Sequence, residues 1–505
     1  MTSPKSITPR TNHWLTSAFV VVVIIAMVII FLRPPTDPDL GWHLRNGQDI
    51  LRFGVPSGDL YSYTMFGYVW VAHEWLTDVG MFLAMRYANF GWLALFFSIL
   101  GVLAYLLTAS IAKARSEIVV LTAFIASIIA LPFVGIRAQV ITWLGLAIAL
   151  FILWRWYQKS GMSLYWLIPL MLVWVNLHGG FAIGLILVGV FAVLAILKQW
   201  LVSRYKLKLV GPILSRQDII QIILVGIGMF LISLVNPYTW HVYDEIIRTV
   251  FNDFVKQRIV EWQTVSLFSP LSRNLLIYTG WLIALLIWAW RKIDPIKLGL
   301  VVIFFGLSLL SWRNLPFFPL VALPVLVELI QQFLPAGLSY YLRNGWLFIG
   351  MMALIVYAGG LRYQEIRPFL QPDPMVWQSQ GKYPYRAVQY IKEQQLPGNL
   401  FNEYNWGGFL VWQLPEKKVF IDGRMAVWGA LDDNIFREYL AISHSSPKAK
   451  EVLDKYNVAV VLVFDDGSSK DYFLANAEWK LVFGDDIAKV FQRQLPIQKV
   501  NSLTR

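Results

Sequence analysis

Two aspartates stand one residue apart in "RPPTDPDLGWHLRNG" (Arg33–Gly47), directly after an apolar run. The spacing of Asp37 and Asp39 across Pro38 lets both carboxylates enter one pocket. There they can hold a hard divalent cation such as Mg²⁺ or Mn²⁺, or one can act as a base. The plainer alternative is a turn, which Asp and Pro both favour. His43 follows in the same stretch, and "HEW" adds His73 and Glu74, a further carboxylate for metal or base chemistry. Arg137 in "GIRAQ" and Arg313 in "SWRNLPFF" have the fork geometry that clamps phosphate. As snorkelling residues at helix ends they would carry no such role. His178 in "WVNLHGGF", Asn236 and His241 in "LVNPYTWHVYDE", and Glu261 in "RIVEWQ" complete the polar set before the tail. Each histidine can equally be an interfacial residue satisfied by backbone.

These residues need elements to carry them, and the composition says which kind. Of 505 residues, 57% are hydrophobic and only 15% charged, where a soluble chain has about a quarter charged. Apolar runs of about 17–25 residues, the length that crosses a bilayer as helix, recur through the first 362 residues. The chain reads as a polytopic α-helical membrane protein with about 11 transmembrane helices. Its lipid bilayer is the first partner implied. The net charge of +12 sits largely in short loops between apolar runs, where it sets orientation, so no nucleic acid is expected. The absence of cysteine removes disulfides, thiolate metal sites and a cysteine nucleophile.

The first span, Leu15–Leu32, is long for a signal-peptide core and lacks a cleavage site, which reads as a retained helix. A large outer loop, 33–75, follows, and Glu74–Gly91 reads as a helix lying at the interface. Further spans are expected near 91–111, 118–135, 138–156, 164–177, 180–198, 218–235, 274–290, 295–311, 315–333 and 346–361. The basic loops 112–117, 155–161, 198–217 and 291–297 then share one side, with a weakly charged last loop around Arg343. The positive-inside rule makes that side cytoplasmic, with the N-terminus inside and the C-terminal part outside. Threaded so, every polar cluster above falls at the outer ends of helices. Ionisable groups at membrane depth are costly, so their convergence on one face reads as a single cleft.

Residues 363–505 change character and alternate helical stretches (385–395, 448–456) with strand-like runs. The strands expected are Lys417–Asp422, Val458–Phe464, Trp479–Phe483 and Ala488–Arg493, which suggests a small C-terminal extracytoplasmic α/β domain after a membrane domain spanning 1–362.

An N-in first span, a first outer loop opening on paired acids, many further spans and an outer α/β domain resemble GT-C glycosyltransferases. "NEYNWGGFLVWQLPEKKVFIDGR" (Asn402–Arg424) is similar in layout to the signature region of oligosaccharyltransferase catalytic subunits. Trp406, Asp422 and Arg424 lie in it, although no aspartate takes the motif's acidic place. "DPDLGWHLRNGQDILRFGVPSGDLYSYTMFGYVWVAHEWL" also resembles uncharacterised bacterial multi-spanning proteins of that superfamily. The resemblance implies a GT-C-like membrane domain in the inner (plasma) membrane and a polyprenyl-phosphate or -diphosphate sugar donor. It implies transfer to an acceptor on the extracytoplasmic face. Asp37 and Asp39 would match the first-loop acidic motif, as metal ligands or base, and Glu261 the second acidic position. Arg137, His178 and Arg313 would neutralise the leaving lipid phosphate. Three other readings compete: a polysaccharide ligase or polymerase, a lipid-linked sugar transporter, and a non-catalytic GT-C-like scaffold.

Overall fold

The computed structural model describes residues 13–333, 345–370, 375, 383–429 and 434–494. The expected loop around Arg343 lies outside them. Among the described residues, eight helices are long and apolar enough to cross a membrane. Leu164–Leu177 and Pro295–Leu309 are shorter apolar helices, and a helix over Gly345–Leu370 stands at the place of the eleventh expected span. Helices suit lipid because each satisfies its own backbone hydrogen bonds.

The segment between the first two spans carries the site. Helix α1 (His13–Phe31) ends before the prolines of "RPPTDPD", and α2 (Leu40–Phe53) is amphipathic, burying Leu40, Leu44 and the polar His43, Asn46 and Asp49. The helix expected over Glu74–Gly91 is shorter, and the span expected near 91–111 begins directly after it. Helix α3 (Trp75–Tyr87) stops at Ala88, and Asn89 caps α4 (Phe90–Ala109) by accepting the Trp92 N–H. A side-chain oxygen at that position competes for the chain and restarts it as a new helix. Helices α2 and α3 touch backbone to backbone: a Cβ on Gly47 would stand 2.1 Å from the Asp78 carbonyl oxygen.

The C-terminal part has a four-stranded sheet in the order β1-β2-β4-β3. Strand β1 (Asn399–Asn402) runs parallel to β2 (Val458–Phe464), while β3 (Trp479–Gly484) and β4 (Ala488–Arg493) complete it antiparallel. Three expected strands are there. The fourth, Lys417–Asp422, is not in the sheet. The Asn402 side chain accepts from Phe420 N at 2.8 Å and donates to the Ile421 carbonyl at 2.8 Å. Val419 bonds the segment between the first two spans instead, giving its N–H to Tyr61 O at 3.0 Å. With its backbone satisfied there, the segment has no need of a sheet neighbour.

That contact joins the two halves. The core of the C-terminal part includes Trp42, Tyr61 and Trp70 from the segment between the first two spans. Glycines let the chains meet: a Cβ on Gly41 would lie 2.1 Å from Gly408 O, and one on Gly408 2.3 Å from Pro38 O. Gly408→Ala is therefore expected to lower stability by about 1–3 kcal/mol, the usual cost of overpacking. Thermal unfolding in detergent checks this, and an unchanged midpoint would contradict the contact.

Buried polar groups also occur at the opposite end of the bundle. Lys198 Nζ lies 2.9 Å from Asp294 Oδ2 and 2.7 Å from the Tyr157 hydroxyl. Lys297 pairs with Glu328. Lysines in basic loops read as orientation signals, but these two are buried structural pairs.

Candidate active site on the first outer loop

Two polar clusters meet around α2. The first begins at the prolines: Asp37 Oδ1 accepts the Asp39 N–H at 2.9 Å, a local turn that fixes both acids. Asp37 Oδ2 lies 2.5 Å from Arg137 Nε, and Arg137 Nη1 lies 2.5 Å from Glu261 Oε1. Arg137 thus bridges acids from two other interhelical segments. Burial pulls its pKa down, but Asp37 and Glu261 outweigh that and hold it above the ordinary value. Burial likewise opposes the Glu261 charge, and Arg137 followed by Arg313 brings its pKa below normal. Asp39 is turned elsewhere. Its Oδ1 accepts Trp42 Nε1 at 3.0 Å and presses on Gly423, where a Cβ would stand 1.9 Å away. Burial, then the Asp37 charge, pushes the Asp39 carboxyl up to about 6.

The Asp37–Asp39 pair does not fit a divalent cation. A guanidinium already sits against Asp37, and among the described residues no third His or acid joins the pair into a ligand group. The cation that the structure places at Asp37 is the Arg137 guanidinium.

Glu74 centres the second cluster. His178 Nε2 lies 3.1 Å from Glu74 Oε1, His73 Nε2 3.6 Å from the same oxygen, and His43 Nε2 3.5 Å from Oε2. The His178 and His73 rings beside it overcome the burial that would neutralise Glu74 and keep its pKa well below normal. His178 Nδ1 accepts from Gly180 N at 2.9 Å and faces the Thr142 hydroxyl at 2.7 Å. Thr142 in turn accepts from Trp174 Nε1 at 3.1 Å, leaving its own proton for His178. That pattern assigns the ring proton of His178 to Nε2, toward Glu74. His43 Nδ1 is 2.5 Å from Asp78 Oδ1. Burial works against a charged ring, yet Asp78 and then Glu74 raise His43 to about 9.

Asp422 and Arg424 form a buried lock behind Asp39. Arg424 Nε and Nη2 meet Asp422 at 2.9 and 2.5 Å, and Nη2 reaches Asp59 Oδ1 of the first loop at 3.0 Å. Trp70, Tyr61 and Trp428 surround the guanidinium at 4.5–5.1 Å. Arg313 differs from both other arginines. Its guanidinium lies 5.1 Å over the Trp262 ring, and among the described residues no carboxylate pairs with it. A narrow apolar cleft opens beside Asp37, lined by Leu40, Leu44, Phe90, Tyr383 and Trp412.

No family model matches the chain, and no curated protein matches it by sequence. Solved structures do match by shape. The Archaeoglobus fulgidus oligosaccharyltransferase, tethered to an acceptor peptide with an NVT sequon, superposes with TM-score 0.56 at 12% identity over 90% of this chain and 69% of its own. ArnT from Cupriavidus metallidurans bound to undecaprenyl phosphate gives 0.51 at 14%, over 95% of this chain and 98% of ArnT. Its apo state gives 0.53 at 12%, with the same coverage. The chain has a GT-C-like fold.

Within the GT-C-like fold the remaining candidates separate. Asn236 is spent on its own turn, donating to Ser233 O at 2.8 Å and Thr239 O at 2.9 Å. His241 is exposed and paired with Asp244 at 3.0 Å. Both stand apart from the clusters, for polar residues beside Pro237 have local turn partners. Trp406 packs on Phe464 in the C-terminal core, ring centroids 4.1 Å apart. Arg137 and His178, expected on the phosphate, are engaged by Asp37 with Glu261 and by Glu74. Sequence reasoning missed Asp78, Asn46 and Asp59. Asp78 had a signal: it lies four residues after Glu74, one helical turn on.

Proposed function

We propose that the chain is a membrane glycosyltransferase. It moves a sugar or glycan from a polyprenyl-phosphate or -diphosphate donor to an acceptor on the extracytoplasmic face of the plasma membrane. The N-terminus is then cytoplasmic and the part after 362 forms the outer domain. The observation that carries this reading is Asp39. It is a half-buried acid held beside the Asp37–Arg137–Glu261 bridge, next to an apolar cleft, with the Arg313 guanidinium, which pairs with no carboxylate among the described residues, in the same region. The GT-C-like fold, shared with a protein bound to undecaprenyl phosphate, supports the donor class.

In the reaction the acceptor oxygen attacks the anomeric carbon, and the bond from that carbon to the phosphate oxygen breaks with its electron pair going to phosphate. Asp39 takes the acceptor proton. Arg313, which makes no ion pair with a carboxylate among the described residues, meets the charge that develops on phosphate. Arg137 acts differently from the expectation: it fixes Asp37 and Glu261, and through the Asp37 turn it positions Asp39. No step runs through Mg²⁺ or Mn²⁺ at Asp37 and Asp39.

Arg313 supplies the test. Arg313→Gln is expected to weaken binding of polyprenyl phosphate to the purified chain by about tenfold or more, the weight of a charge-assisted hydrogen bond. Tritiated polyprenyl phosphate in nanodiscs measures it. Unchanged affinity would remove Arg313 from the phosphate, and no binding by wild type would remove the donor class.

A further inference from the structure

The Glu74 pocket holds no group that the transfer step uses, yet it gathers several buried charged and titratable side chains. His43, from the first turn of α2, and Asp78, from the first turn of α3, are 6% and 0% exposed, and Glu74, just before α3, is 8%. Their ligand atoms lie within 4.8 Å of one another. The order of contacts is specific. Asp78 Oδ1 takes one ring nitrogen of His43 at 2.5 Å, and Asn46 Nδ2 holds the other oxygen of Asp78 at 2.6 Å. The opposite ring nitrogen, Nε2, therefore faces Glu74 Oε2 at 3.5 Å.

Metal-bound histidines are arranged this way: a carboxylate on one nitrogen fixes the ring and directs the other lone pair at the ion. With metal–ligand bonds of about 2.0–2.1 Å, neighbouring ligands of a tetrahedral ion stand about 3.3 Å apart, close to the His43–Glu74 separation. A second, independent feature points into the pocket. His178 Nε2 is buried, stands 3.1 Å from Glu74 Oε1, and makes no well-directed hydrogen bond there. It is placed to hold Glu74 from behind. Glu74 and Asp78 also bring two negative charges into a buried space, which a dication cancels.

We propose that His43 Nε2 and Glu74 bind a divalent transition-metal ion, with Asp78 orienting the imidazole. An imidazole donor beside a carboxylate suits Mn²⁺ or Zn²⁺ better than Mg²⁺ or Ca²⁺, which take oxygen ligands. The ion replaces the proton on Nε2 and leaves the Asp78 contact in place. The site is separate from Asp37 and Asp39.

The test reads ion binding alone and so stands apart from transfer activity. The full-length protein in detergent is stripped with chelator and titrated with Mn²⁺ by electron paramagnetic resonance, then with Zn²⁺ by calorimetry. One ion per chain is expected. His43→Gln and Glu74→Gln should each weaken it at least tenfold, and Asp78→Asn by about 10–100-fold, as for other residues that orient a ligand. Asp37→Asn should leave affinity within twofold. Thermal unfolding checks that each variant is folded; if His43→Gln is not, Glu74→Gln carries the comparison. No stoichiometric binding by folded wild type, unchanged binding in both ligand variants, or loss in Asp37→Asn would each overturn the proposal.

Discussion

Asp39→Asn is expected to cut the rate of glycosyl transfer on the order of 10²–10⁴-fold, the usual contribution of a positioned base. The substitution keeps size and shape. An amide oxygen still accepts from Trp42 Nε1, as the carboxylate does at 3.0 Å, so α2 and its docking on Gly423 should persist. What disappears is the group that takes a proton. The loss should therefore fall on kcat, with binding of the lipid donor little changed, because Arg313 and the apolar cleft remain. Asp37→Asn should behave otherwise. It leaves Arg137 with Glu261 alone and loosens the bridge between interhelical segments, so stability falls as well. Equal rates for Asp39→Asn and wild type would take Asp39 out of the chemistry.

Arg424→Met is expected to destabilise the protein by about 3–5 kcal/mol, the cost of removing one partner from a buried ion pair. Asp59 and Asp422 are both fully buried, and the guanidinium is their shared cation. Asp59 keeps bonds from Tyr61 N at 3.2 Å and Ser62 N at 3.0 Å. Asp422 keeps the Arg424 N–H at 3.0 Å. Adding Asp59→Asn to Arg424→Met should recover part of the loss, since one uncompensated charge is removed. Because Gly423 packs against Asp39, the single variant should also lower transfer. Unfolding by heat in detergent tests it, and a loss under about 1 kcal/mol would mean the pair is not the lock its burial implies.

The spans were legible because lipid imposes a length and a composition that few soluble helices share. The turns could be grouped because they alternate with basic loops along the chain. The meeting of Asp37, Arg137 and Glu261 followed from that grouping, although the pairing itself depended on folding. Other contacts were hidden because their cause is long-range. Asp59 reads as a loop acid until Arg424 arrives from a distant stretch. The glycines of "NWGG" read as a worn motif, and their positions are explained by close approach to Pro38 and Ile421. Lys417–Asp422 alternates like a strand, yet a single asparagine side chain and the first loop satisfy its backbone. His241 and Asn236 looked like site residues by type alone, and type does not say which way a turn faces.

The central claim is that Asp39 serves transfer from a polyprenyl-phosphate donor, and release of the lipid phosphate tests it most directly. Wild type and Asp39→Asn, each in nanodiscs, would be incubated with a panel of polyprenyl-phosphate sugars and a cell-envelope extract as acceptor source. Mass spectrometry then follows free polyprenyl phosphate. The account predicts release by wild type from at least one donor and none above background by Asp39→Asn. Release at the same rate by both proteins would contradict it.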